Sequence, residues 1–265
     1  MSDMTVSSST DSRGVATVTL NRPDKHNAFD DAIIAELDRV FATLASDEQV
    51  RLVVLASTGR SFSAGADLAW MQRMAGYSRE ENLKDARALA EMLRKLNEMP
   101  QPTIARVQGA AYGGAVGLVS CCDMAIGSEH AKFCLSEARI GLIPATISPY
   151  VIAAIGARAA RRYFTSAEVI PAQRAQALGL LSEVCSAEAL DTTLEASLQT
   201  LLDNGPQALR DAKRLVLDYA GKTIDAELIE DSCRRIADIR VSTEGQAGLQ
   251  AFLDKSAAPW RQSDV

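Results

Sequence analysis

Two short segments built almost wholly of small residues, SFSAGADL at 61–68 and YGGAVGL at 112–118, could do chemistry with their main chain. Each reads as a passage from a strand into a helix. Small side chains let a ligand oxygen approach the backbone, and amides at a helix start point outward with the positive end of the helix dipole. Two such amides, one from each loop, could hold an oxygen that gains negative charge. Removing one donor of that kind typically costs about 2.7–4 kcal/mol of transition-state stabilisation. Taken singly, each segment has a plainer reading: Gly113-Gly114 suits close helix–strand packing, and Ala64-Gly65-Ala66-Asp67 suits a turn. A nucleotide phosphate loop is not indicated, because its lysine and hydroxyl are missing. The glycine segment also carries no reactive side chain before Asp123, so an acid or base must come from elsewhere.

Other catalytic designs find little material. With only His26 and His130 in the chain, a histidine-based metal site or a Ser-His-Asp triad is poorly supported, and no metal is expected. The five cysteines (Cys121, Cys122, Cys134, Cys185, Cys233) form neither an even disulfide set nor a metal-type spacing, which favours reduced thiols. A net charge of −6 argues against nucleic acid as a partner. The start, MSDMTVSSSTDSRG, lacks the apolar core of a secretory signal. No run approaches the ~20 apolar residues needed to span a bilayer. The expectation is a cytoplasmic protein without membrane contact.

The elements that must position these loops follow from periodicity. VATVTL (15–20) alternates like a strand and stops at Asn21–Pro23. The next segment sets Ile33, Ile34, Leu37, Val40, Phe41 and Leu44 on one helical face, with Asp30 or Asp31 as cap. LVVLAS (52–57) suits a strand buried on both faces. Gly59, Ser61 and Ser63 suggest a loop after it. A helix is expected from about Glu80 to Glu98, with Leu83, Leu89, Leu93 and Leu96 near one face, and Pro100 and Pro102 to stop it. TIARVQG (103–109), CDMAIG (122–127) and AKFCL (131–135) read as strands. Strands and helices alternating at short spacing mean an α/β core. After about Asn204-Gly205-Pro206 the pattern turns helical, near 206–220, 222–241 and 244–253. The chain thus divides into a core over 1–204 and a helical region over 205–265.

Taken in order, these segments resemble the enoyl-CoA hydratase/isomerase (crotonase) family. LNRPDKHNAF (20–29) is similar to its N-terminal signature, SFSAGADL to its first oxyanion loop, and VQGAAYGGAVGLVSCCD (107–123) to its central glycine motif. AKFCLSEARIGLIP (131–144) resembles the catalytic segment that follows, and TEGQAGLQAFLDKSAAPW (243–260) the C-terminal pattern. The likeness runs from about residue 14 to residue 260. It implies a spiral of ββα units with a C-terminal helical trimerisation region, assembling as a trimer or a dimer of trimers. It also implies an acyl-CoA substrate, with coenzyme A entering as part of that substrate and no separate cofactor.

By position, the resemblance makes the amides of Ala66 and Gly114 the holders of a thioester oxygen. Family hydratases generally carry one glutamate three residues after the oxyanion glycine and a second in the next segment. Here the first position is Gly117, which transfers no proton, and the second is Glu137. Read without the family, Ser136-Glu137 is a helix start whose acid complements the dipole. Read with it, Glu137 deprotonates the water that attacks C3 and returns a proton to C2, while Asp123 is structural. For the CoA moiety the resemblance points to Arg22, Lys25, Ala64, Asp67 and Leu68, with Phe252 and Lys255 reaching a neighbouring subunit's CoA.

Gly117, CCDMAIG and the stretch ATISPYVIAAIGARAARRY (145–163), where many relatives are glycine-rich, resemble a branch that handles 3-substituted glutaconyl-CoA. The 3-methylglutaconyl-CoA hydratase of leucine breakdown and the isohexenylglutaconyl-CoA hydratase of acyclic terpene breakdown belong to it. Arg139 is a candidate partner for such a substrate's second carboxylate, and Met71, Met74 and Tyr77 for its acyl tunnel. Two other readings stay open: a Δ3,Δ2-enoyl-CoA isomerase, which needs one carboxyl, and a non-catalytic CoA- or RNA-binding scaffold.

Overall fold

The computed structural model describes residues 4–261. The chain opens with strands β1 (Val6–Thr10) and β2 (Val15–Leu20), and helix α1 (Asp31–Ser46) follows after a 3-10 turn. The Asp30 carboxylate caps α1 by accepting from the Ile33 amide, and the six residues read as its apolar face are all buried. Strands β3 (Leu52–Ser57) and β4 (Ser61–Ser63) come next, then helices α2 (Leu68–Met74) and α3 (Arg79–Asn97). Next are β5 (Thr103–Val107), β6 (Ala110–Tyr112), α4 (Gly114–Cys121), β7 (Met124–Ser128) and β8 (Lys132–Cys134). A 3-10 turn over Glu137–Ile140 leads to α5 (Ser148–Ser166), β9 (Ile170–Pro171), α6 (Ala172–Leu178), β10 (Glu183–Cys185) and α7 (Leu190–Leu202). Helices α8 (Pro206–Tyr219), α9 (Ala226–Val241) and α10 (Thr243–Leu253) close the chain, and no strand follows β10 among the described residues.

The strands form two sheets. The larger has the order β1-β2-β3-β5-β7-β10, parallel except where β1 runs antiparallel to β2. The smaller has the order β4-β6-β8-β9, with β4, β6 and β8 parallel. β3 is buried on both faces: Val53 and Leu55 point into the main core, and Leu52, Val54 and Ala56 meet Leu190, Leu194, Leu198 and Leu202 of α7. The α/β expectation holds.

Several boundaries move. Ser61–Ser63, expected as loop, is strand β4, because β6 pairs with it; the strand expected over 103–109 ends at Val107, and Ala110 starts a separate one. In α3, Leu93 and Leu96 are buried with Met92, whereas Leu83 in the second turn is exposed.

The link from core to C-terminal helices includes an ion pair. The Lys213 ammonium on α8 is almost fully buried, lies 2.7 Å from Asp123 and donates to the Gln101 carbonyl. Asp123 also accepts from the Thr103 amide and hydroxyl, which gives it the structural role expected of it.

Candidate active site

Three adjacent parallel strands deliver the candidate residues. Ala64–Ala66 follow the carboxyl end of β4, Gly113-Gly114 that of β6, and Ser136-Glu137 that of β8. Ligand crevices of parallel α/β sheets lie outside such strand ends.

Phe29 organises both loops. Its amide donates to the Gly65 carbonyl and its carbonyl accepts from the Asp67 amide, each at 2.9 Å, so its main chain brackets Ala66. Its ring lies against Gly114, where a Cβ would sit 2.7 Å from Phe29 Cζ. The loops also touch directly. Gly65 has φ +85°, and a Cβ there would lie 2.6 Å from the Tyr112 carbonyl oxygen. Glycine is required at both points.

Counting donors isolates the amides that matter. In the first loop, Ala64 N–H donates to the His26 carbonyl, Gly65 N–H to Ser63 Oγ and Asp67 N–H to the Phe29 carbonyl. The Ala66 amide has no protein acceptor among the described residues. In the second, Gly113 N–H donates to the Cys134 carbonyl and Val116 N–H to the Gly113 carbonyl. The Gly114 and Ala115 amides at the head of α4 are left without one among the described residues.

Glu137 adjoins this pair. Its Oε1 lies 3.2 Å from where a Gly113 Cβ would be, and its buried Oε2 has no protein hydrogen-bond partner among the described residues. Burial pushes the carboxyl above its ordinary value of 4.5, only partly offset by its own backbone amide. An unpaired acid beside unused amides of both loops can move a proton while the amides hold developing charge.

Two residues expected at the CoA, Asp67 and Arg22, also hold the loop together. Asp67 is nearly buried, caps α2 through the Ala69 and Trp70 amides, and receives Arg22 Nη2 at 3.2 Å. Arg22 also donates to the Ala28 carbonyl. Burial pushes the Asp67 carboxyl up, but the Ala69 and Trp70 amides, then Lys25 and Arg22, outweigh it and hold the acid below its usual value. Both side chains therefore brace the Ala66 loop. Lys25, Ala64 and Leu68 are exposed beside it. Phe252 and Lys255 are exposed at the end of α10, which packs on α8 and α9. Arg139, two residues beyond Glu137, donates to the Ala167 carbonyl at 2.6 Å. Met71 and Tyr77 are half-buried, and Met74 packs on the core. Sequence reasoning missed Phe29 and Ile147; their signals were an aromatic in the first motif and a β-branched residue in a stretch where glycine was expected.

No group of three or more histidine, cysteine, aspartate or glutamate side chains arranged to hold a metal occurs among the described residues, and the five cysteines are unpaired. No helix is long and apolar enough to cross a membrane among the described residues.

Known proteins match this arrangement closely. The sequence profile described as "Enoyl-CoA hydratase/isomerase" matches residues 10–263. An enoyl-CoA hydratase from Shewanella pealeana is 44% identical, with a TM-score of 0.94 over 98% of this chain and 97% of that one. Pseudomonas aeruginosa AtuE is 33% identical, with a TM-score of 0.93 over 98% of this chain and all (100%) of its own. The 2,3-dehydroadipyl-CoA hydratase of Escherichia coli K12 is 32% identical over 246 residues, 91% of this chain and 92% of the relative. The chain belongs to the enoyl-CoA hydratase/isomerase family, with the crotonase-like α/β fold. It is an enzyme of the enoyl-CoA hydratase type.

Proposed function

We propose that the protein adds or removes water across the C2–C3 bond of a 3-branched glutaconyl-CoA, such as 3-methylglutaconyl-CoA or isohexenylglutaconyl-CoA, in leucine or acyclic terpene breakdown. The observation that carries the chemistry is one half-buried carboxyl, Glu137, whose buried Oε2 has no protein partner among the described residues, beside two loops that each carry an unused amide. In the hydration direction, the Glu137 carboxylate takes a proton from water as the oxygen bonds to C3. The C2–C3 π electrons move onto the thioester oxygen, which the Ala66 and Gly114 amides hold as an enolate. The Glu137 carboxylic acid then returns its proton to C2, restoring the thioester.

The substrate class is supported by Gly117 and the ATIS stretch, which resemble the glutaconyl branch. The E. coli relative is named for 2,3-dehydroadipyl-CoA, also an enoyl thioester of a dicarboxylic acid. Arg139 is then the partner of the substrate's second carboxylate, and Lys25 meets CoA phosphate. Self-association to a trimer or dimer of trimers is supported by exposed apolar residues on the C-terminal helices, among them Val216, Ile229 and Ile236. A cytoplasmic location completes the proposal.

A lone carboxyl also suits a Δ3,Δ2-enoyl-CoA isomerase. The deciding experiment compares kcat/KM for 3-methylglutaconyl-CoA, unbranched crotonyl-CoA and a 3-enoyl-CoA, with product identification. Preference for the branched substrate and a 3-hydroxy product supports the hydratase. Conversion of the 3-enoyl substrate alone, with no water incorporated, replaces it with the isomerase.

A further inference from the structure

The side chain of Ile147 occupies the space that a side chain on Gly117 would need. A Cβ built on Gly117 would lie 2.3 Å from Ile147 Cγ2 and 2.8 Å from Ile147 Cβ, with Leu93 Cδ2 at 3.6 Å. Ile147 is poorly placed to step aside. It is only 2% exposed, the clash reaches its branched Cβ and not a flexible tip, and its carbonyl accepts the Val151 amide in the first turn of α5. Along α4, Gly117 stands one turn beyond Gly113, whose missing Cβ faces Glu137 Oε1. Gly117 also follows Gly114, whose amide is unused, by three residues within α4, so the two lie on one side of that helix. Two separate departures seen in the sequence, a glycine at 117 and ATIS over 145–148, are one exchange of volume.

We propose that Ile147 sets the number of acids in the site: it fills the place of a second proton-transfer side chain and so commits the pocket to chemistry through Glu137 alone. The chemical half rests on the hydratase reading; the packing half does not. With one carboxyl, the proton removed from water and the proton delivered to C2 pass through the same group, so only the ionised free enzyme starts a hydration cycle. An acid at 117 is excluded by volume and cannot be restored by changing that position alone.

The test is a four-cornered cycle in the full-length protein: wild type, Gly117→Glu, Ile147→Gly and the double variant. Overpacking makes Gly117→Glu melt about 5 °C or more below the wild type. The double variant melts above Gly117→Glu, although it carries a further core truncation, because the second change vacates the space the first needs. The pH profile of kcat/KM for crotonyl-CoA supplies a readout that packing alone does not move. The wild type shows one acidic limb, and the double variant becomes bell-shaped as a second acid joins. A wild-type-like melting point for Gly117→Glu, additive melting shifts, or a stable double variant that keeps one limb would each overturn the proposal. A wild type that hydrates no enoyl-CoA removes the hydratase reading, and the melting cycle still decides whether Ile147 excludes a side chain at 117.

Discussion

The Phe29 ring stands 2.7 Å from the position of a Cβ on Gly114, while its main chain holds the two residues flanking Ala66. One residue from the N-terminal motif therefore fixes the spacing of two loops more than 40 residues apart in sequence. Gly114→Ala must push the ring or the loop aside. A fall in kcat of about 10²–10³-fold is expected, the usual consequence of misplacing one such donor, with a smaller change in KM. Steady-state kinetics on an active enoyl-CoA checks it; unchanged kcat would detach Gly114 from catalysis.

Asp67→Ala removes the cap of α2 and one of the two carboxylates beside the largely buried Arg22, leaving Asp30 at 3.5 Å. A loss of about 1–3 kcal/mol is expected in denaturant unfolding, from the lost helix cap and one lost partner of Arg22. Lys25→Ala, at an exposed side chain, should leave stability alone and raise KM for CoA thioesters severalfold. Equal effects of both changes on unfolding would contradict this division between bracing and binding.

The titration of Glu137 has a worked sign. Its folded value is raised by burial, so its contribution to stability is fully present below the unfolded value near 4.5 and is lost as pH rises through the folded value. Asp67 runs the other way: its contribution is present above about 3.8 and is lost as pH falls through its lowered folded value. Glu137→Gln is therefore expected to melt above the wild type at pH 7, with the gap closing toward pH 4. A gap that stays constant with pH would remove burial of the charge as its cause.

Much of this architecture is legible in the chain because the relevant signals are local. The apolar face of α1 and the continuous run of β3 name their own elements, and the residues expected in them are those found buried. The three strands that deliver the site are only three residues each, too short for alternation to show, and Ser61–Ser63 declares itself only through pairing with β6. Glu137 illustrates the limit on the site. Its own surroundings read as a helix start, and only its register after the glycine motif marks it. The volume exchange between Gly117 and Ile147 is invisible until α5 is folded onto α4. That Arg22 also braces the Ala66 loop through Asp67 is seen only once the two are folded together.

The central claim is that Glu137 transfers the proton beneath the Ala66 and Gly114 amides, and its most direct test is hydration of 3-methylglutaconyl-CoA by the wild type and Glu137→Gln, followed as loss of the enoyl-thioester absorbance. The account expects rapid loss with the wild type and a fall of at least about 10²-fold in kcat with the variant, while KM stays within a few-fold. A variant that hydrates this substrate at the wild-type rate would contradict the account.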